Sequence, residues 1–286
     1  MGNKRGEAKN ESTITCYHGF PFSQSIAFPF SFEYALWECG LRVSQQRARQ
    51  ITMTLFLGIV SQKGGVGKST LARLVAKEYA TAGWRVKIAD LDIAQGTSFN
   101  WQARRLQHAL EPTIPVERFG TVEQVVKVAA LYDLIIFDCP PNATAGTLKA
   151  AQASTCIILP TGLSLDDLEP SILLAHEFIK QGLLPERLAF ALCRVGDSEI
   201  EIAEARHYIL RAGYTVLKGA IPEKIAYRRA SDEGRTLTET RFPSLNERSD
   251  TVAQSVIDYL KHTYEHSEET QNGQSSTTQR SRSKKR

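Results

Sequence analysis

Between residues 53 and 264 short apolar runs alternate with longer amphipathic ones. "TLFLGIVS" (54–61) is β-branched and apolar throughout, which suits a strand buried on both faces. "KSTLARLVAKEYATAG" (68–83) carries apolar residues at helical spacing and closes on Gly83. Further strands are predicted at 85–92, 133–138, 155–160, 187–195 and 215–222. Further helices are predicted at 122–131 and at about 167–181, 198–212, 224–233 and 246–262. Such alternation predicts an α/β fold with a mainly parallel twisted sheet and helices on both faces. In sheets of that kind ligands bind beyond the carboxyl ends of the strands.

The two ends of the chain differ from this middle. Residues 1–52 show no sustained periodicity, and "MTLFLGIVSQKGG" from Met53 reads like a natural N-terminus, so 1–52 is expected to be an extension, non-native or disordered. Residues 265–286 are rich in Ser, Thr and Gln and place five basic residues in the last seven, the composition of a disordered polar, basic tail.

Charge narrows the reading further. The ends carry 6 and 5 Lys/Arg against 4 and 3 Asp/Glu, which leaves 24 of each sign in 53–264. A neutral domain needs a local basic patch or a tail to bind nucleic acid. The five cysteines are widely spaced with no C-x-x-C, which argues against a zinc or disulfide framework and for a reducing, cytoplasmic setting. No apolar run reaches the roughly 18 residues of a membrane span.

The chemistry sits at strand ends. "SQKGGVGKST" (61–70) follows the first strand and opens the first helix. It matches the phosphate-loop pattern G-x-x-x-x-G-K-[ST] except that Gln62 replaces the leading glycine and an extra lysine, Lys63, follows it. Gly64, Gly65 and Gly67 let backbone N–H groups approach phosphate oxygens, and the helix adds its positive N-terminus. Lys68 is placed to reach β- and γ-phosphates, and the Ser69 hydroxyl to ligate Mg²⁺. Asp138, after "LIIF", suits the second acidic position that holds the metal through water.

"KGGVGKST", "ADLDIAQGTSFNW" and "YDLIIFDCPPN", in that order, resemble the deviant Walker A ATPases of the ParA/MinD class, and among them the small plasmid-type ParA partition proteins. The resemblance covers about 53–262 and implies a P-loop NTPase fold, ATP/ADP and Mg²⁺ as cofactors, and weak ATP hydrolysis stimulated by a partner. It further implies a homodimer formed with ATP, sequence-independent DNA binding, a centromere-binding, ParB-like partner, and a nucleoid-associated protein in the cytoplasm. Lys63 matches the lysine that reaches the partner subunit's nucleotide, Asp92 the residue that positions the attacking water, and Asp90 a support of the metal shell. The nucleotide-binding stretch is Lys63 to Thr70, including Val66.

Two departures stand out. "LDIAQG" replaces the family's "LDPQG", and Cys193-Arg194 stands where an Asn-Arg pair places its asparagine on adenine. Pro222 and backbone groups near it are therefore expected to contact the base. For DNA the candidates are Arg211, Lys218, Lys224, Arg228, Arg229, Arg235, Arg241 and Arg248, with Arg211 and Arg248 nearest the family's DNA-contacting arginines. The MinD branch would carry a C-terminal amphipathic membrane helix, and the tail after Glu265 has no Leu, Ile, Phe or Trp, so no membrane partner is expected. An accessory ATPase that positions another cargo, such as a conjugative DNA-processing or polar protein complex, is the alternative function.

Overall fold

Eight strands, all parallel, form the sheet of the computed structural model, which describes residues 53–142 and 144–283 and the side chains as far as 267. The extension 1–52 lies outside the described residues. In chain order the strands are β1 (Leu55–Ile59), β2 (Val86–Asp90), β3 (Val116–Arg118), β4 (Leu134–Asp138), β5 (Cys156–Thr161), β6 (Leu188–Val195), β7 (Thr215–Val216) and β8 (Ile221–Pro222). The helices are α1 (Lys68–Thr81), α2 (Thr97–Gln107), α3 (Val122–Lys127), α4 (Ala145–Ala153), α5 (Leu165–Lys180), α6 (Glu199–Arg211), α7 (Ile225–Asp232) and α8 (Pro243–Ser283). Single 3₁₀ turns cover Ala129–Leu131 and Pro185–Arg187.

The order across the sheet is β3-β2-β4-β1-β5-β6-β7, with β8 also paired to β6. From β1 the chain moves one way through α1 and α2, and from β3 it returns and continues the other way through α3 to α6. Right-handed crossovers then place the two sets of helices on opposite faces. Two cores result. One joins α1 to α8 through Leu71, Leu74, Val75, Val252, Val256 and Leu260. The other lies under α5 and α6 and includes Phe137, Leu159, Phe178, Phe190 and Ile209. The topology reverses at β1, and the carboxyl ends of β1, β2 and β4 meet there: Asp138 pairs with Ile59 on one side and with Asp90 on the other.

The apolar strands form where their pattern predicts, and the differences have local causes. The run expected as one strand over 215–222 divides into β7 and β8, because Gly219 between them adopts φ 74°. Strand β3 and helix α4 carry too little apolar periodicity to be read from sequence, and helix α2, amphipathic but polar, buries only Ser98, Trp101 and Arg105. β3 is three residues, Val-Glu-Arg, paired to β2 alone. α4 begins at a capping box made by Thr144 and Thr147. α8 continues to Ser283, so residue 265, where the tail was expected to begin, falls within a helix.

Candidate functional site

The loop after β1 turns on two left-handed glycines, Gly65 at φ 76° and Gly67 at φ 105°. A Cβ at 67 would stand 3.3 Å from the Cβ of Cys193, so both backbone conformation and close approach favour glycine there. Gly67 caps α1 without any side-chain hydrogen bond, which leaves the first N–H groups of that helix to a ligand. Lys68, the first residue of α1, is buried and its Nζ donates to the Lys63 carbonyl at 2.9 Å. Burial lowers its pKa, opposed by the carboxylates of Asp138 and Asp92.

Lys63 faces away from that cradle. Its Nζ donates to Asp167 Oδ1 at 2.9 Å, and the side chain keeps 40% of its surface exposed. Asp167 stands in the first turn of α5, steadied by the Ser164 hydroxyl at 3.2 Å. Gly162 makes room for it, since a Cβ there would lie 2.3 Å from Asp167 Oδ2. The two lysines of the loop thus have separate stations, one inside and one at the rim.

The three expected carboxylates also separate by task. Asp138, at the end of β4, is buried; its Oδ2 accepts the Ser98 hydroxyl at 2.7 Å, and its Oδ1 has no hydrogen-bond partner among the described residues. Burial pushes its pKa up, against the lowering effect of the Ser98 and Ser69 hydroxyls. Asp90 spends both oxygens on backbone: Oδ1 accepts the Asp92 N–H at 3.1 Å, and Oδ2 accepts those of Ser98 at 3.2 Å and Phe99 at 3.1 Å. That arrangement holds the turn into α2 and makes Asp90 an organiser of the loop. Burial and the neighbouring Asp138 push its pKa up to about 6. Asp92 is half-buried at the cleft wall, and its Oδ1 accepts the Gln95 N–H at 3.1 Å.

A cleft of about 510 Å³ runs from this loop toward α7. Gly64, Gly65, Gly67, Lys68, Ser69, Thr70 and Asp92 line one end; Ile221, Pro222, Tyr227 and Leu237 line the other. Its polar and apolar ends suit a phosphorylated ligand with a flat apolar part. Pro222 and the buried Cys193 both line this cleft. The orphaned Asp138 Oδ1, close to the Lys68–Ser69 turn, is an acceptor that a hydrated cation would satisfy. Ser69 and Asp138 would hold such an ion, and the oxygen donors suit a hard cation such as Mg²⁺.

Two contributors escaped the sequence reading. Asp167 is part of an ordinary acidic first turn, and only the fold brings it to Lys63 across the sheet edge. Arg73 is a buried cation at the floor of the cleft; Nε donates to the Ser69 carbonyl at 2.7 Å and Nη1 to the Ser231 hydroxyl at 3.0 Å. Burial lowers its pKa to about 10.

The eight basic DNA candidates differ in their surroundings. Lys224 is paired with Asp197 at 2.8 Å, Arg228 with Glu223 at 3.2 Å and Arg235 with Glu233 at 3.2 Å. Lys218, Arg229 and Arg241 are exposed, and Arg248 is half-buried within the electrostatic reach of Asp197. Arg211 ends α6, which returns the chain to the start of β7, so it lies at the opposite end of the sheet from Arg248. It borders a groove with Ile172, His207 and Tyr208. Among the described residues no helix is long and apolar enough to cross a membrane.

Residues 57–237 match the family described as the CobQ/CobB/MinD/ParA nucleotide binding domain. The chain is 29% identical over 217 residues to the chromosome-partitioning ATPase Soj of Thermus thermophilus, spanning 64% of this chain and 87% of that protein. It is 28% identical over 214 residues to the chromosome partitioning protein ParA of Myxococcus xanthus, spanning 58% and 75%. Its fold is similar to that of the septum site-determining protein MinD of Pyrococcus horikoshii in complex with Mg-ADP. The TM-score is 0.57 at 20% identity, covering 71% of this chain and 96% of that one.

Proposed function

The chain belongs to the CobQ/CobB/MinD/ParA nucleotide-binding domain family, and we propose that it is an ATP-switched partition ATPase. In this reading it dimerises with ATP, binds DNA without sequence preference, and is stimulated by a centromere-binding, ParB-like partner to segregate plasmid or other DNA in the cytoplasm. The observation that carries it is the separation of the two loop lysines. Lys68 closes on its own loop, whereas Lys63 stands at the rim on Asp167, where a second subunit could meet it.

The named relatives favour partition over the positioning of another cargo, because both of the partition proteins above align across most of their length. ATP or ADP with Mg²⁺ is the cofactor set that suits the cleft, and the MinD neighbour was solved with Mg-ADP. When bound, Mg²⁺ would supply charge neutralisation to the phosphates. The chain's own residues do the positioning: the loop N–H groups and Lys68 hold the phosphates, and Asp92 orients water.

Subunit mixing tests the reading. Lys63→Ala and Asp92→Ala subunits are each expected to be inactive alone. In their heterodimer one site keeps its own Asp92 and receives the partner's Lys63, so hydrolysis should return. A mixture that forms heterodimers yet stays inactive would put Lys63 back in its own loop and sink the proposed switch.

A further inference from the structure

Arg194 interrupts an otherwise buried strand. Every residue of β6 is buried except this one. β6 and β8 pair through Cys193↔Ile221 and Val195↔Pro222, so two steps on β6 match one on β8 and Arg194 is the extra residue of a bulge. Its φ is 57°, a left-handed conformation that costs a residue bearing a Cβ. Bulges beside functional sites re-aim a side chain, and this one turns the guanidinium out of the sheet and over the mouth of the cleft.

There the guanidinium joins two segments. Nη1 donates to the Gly65 carbonyl at 2.9 Å, and Nε to Glu223 Oε2 at 2.9 Å. The other oxygen of Glu223 accepts from Arg228 Nη1 at 3.2 Å, and the Glu223 N–H donates to the Val195 carbonyl at 3.0 Å. A continuous path therefore runs from the phosphate loop through the bulge to the first turn of α7. In a trans peptide the carbonyl and the following N–H point in opposite directions. Holding the Gly65 carbonyl on Arg194 thus turns the Val66 N–H away from it, into the loop.

We infer that Arg194 is a positioning residue for the nucleotide, which presets the Gly65–Val66 peptide and ties the phosphate loop to the Glu223–Arg228 start of α7. The inference rests on the nucleotide reading above. A planar fork suits this task because it fixes two acceptors at once, which a lysine ammonium on a flexible stem does not. The role concerns binding and loop shape, not the reacting phosphoryl group, so ground state and transition state should lose equally when it is removed.

Arg194→Gly is the variant of choice, because glycine accepts φ 57° and leaves the bulge intact. Fluorescent ATP and ADP titrations and turnover at saturating ATP are measured on the full chain, with a nucleotide-free melt as the control for folding. Affinity for both nucleotides should fall about tenfold, with kcat within about twofold and the melt no lower than wild type. Arg194→Lys should stay nearly as weak, and Arg194→Gly with Glu223→Gln should be no weaker than Arg194→Gly alone. Unchanged affinity, or lost turnover with unchanged affinity, overturns the inference; so does an additive double variant. A wild-type chain that binds neither nucleotide overturns the reading beneath it, and the inference with it.

Discussion

Lys63 and Asp167 form an ion pair at 2.9 Å between the phosphate loop and the first turn of α5, 104 residues apart in sequence. A Lys63 that extends to a second subunit's nucleotide would leave this pair. Exposed pairs contribute about 0.2–1 kcal/mol. Asp167→Asn should therefore tighten ATP-dependent dimerisation by up to about fivefold for each subunit released. Sedimentation with a non-hydrolysable ATP analogue reads this directly, and a weaker dimer would show that Asp167 supports the interface instead of competing with it.

Asp90 predicts a pH dependence. Its folded-state pKa is raised from 3.8 to about 6, so the folded chain binds the proton more tightly than the unfolded one. The associated stability is fully present below pH 3.8 and is lost as pH rises through about 6. At about 1.4 kcal/mol per pH unit the change is roughly 3 kcal/mol. Denaturant titrations between pH 4.5 and 7.5 (conditions chosen around the two pKa values) should show the wild type losing stability relative to Asp90→Asn as pH rises. Parallel curves would remove Asp90 as the cause.

Ser98 holds one oxygen of Asp138 while the other has no partner among the described residues. Ser98→Ala would remove the hydroxyl donor that holds Asp138 Oδ2 at 2.7 Å, which costs about 1–3 kcal/mol. The nucleotide-free melting temperature should fall accordingly, and Mg²⁺ should restore more of it than in the wild type. An unchanged melt would mean that the hydroxyl and carboxylate are not coupled.

DNA binding should require ATP and weaken steeply with salt, as expected when phosphate contacts release counterions. Because Arg211 and Arg248 lie at opposite ends of the sheet, their reversal to Glu should be assayed separately. Gel-shift titrations on unrelated duplexes should show the larger loss for Arg248→Glu, which shares the electrostatic neighbourhood of Asp197 with Lys224. If removal of residues 265–286 abolishes binding while both reversals leave it intact, the tail is the DNA element.

The α/β alternation, the central strands and the phosphate loop were all legible along the chain. Buried parallel strands demand continuous apolar runs, and phosphate binding demands glycines next to a lysine at fixed spacing. These are local requirements, and the residues Gly64 to Ser69 and the run before Asp138 state them openly. What the tertiary structure alone decided is which residues these motifs meet. The family resemblance grouped Asp90 with Asp138 as support for a metal; the fold adds that Asp90 accepts three backbone N–H groups while one oxygen of Asp138 stays open. Sequence counted eight basic residues between 211 and 248; the fold pairs three of them with acids and sets Arg211 apart. Asp167, Arg73 and the bulge at Arg194 had no local signature, because their roles depend on partners far away in sequence. Helix and strand formation reads neighbours along the chain, whereas a carboxylate's or guanidinium's task is set by whatever the sheet order brings beside it.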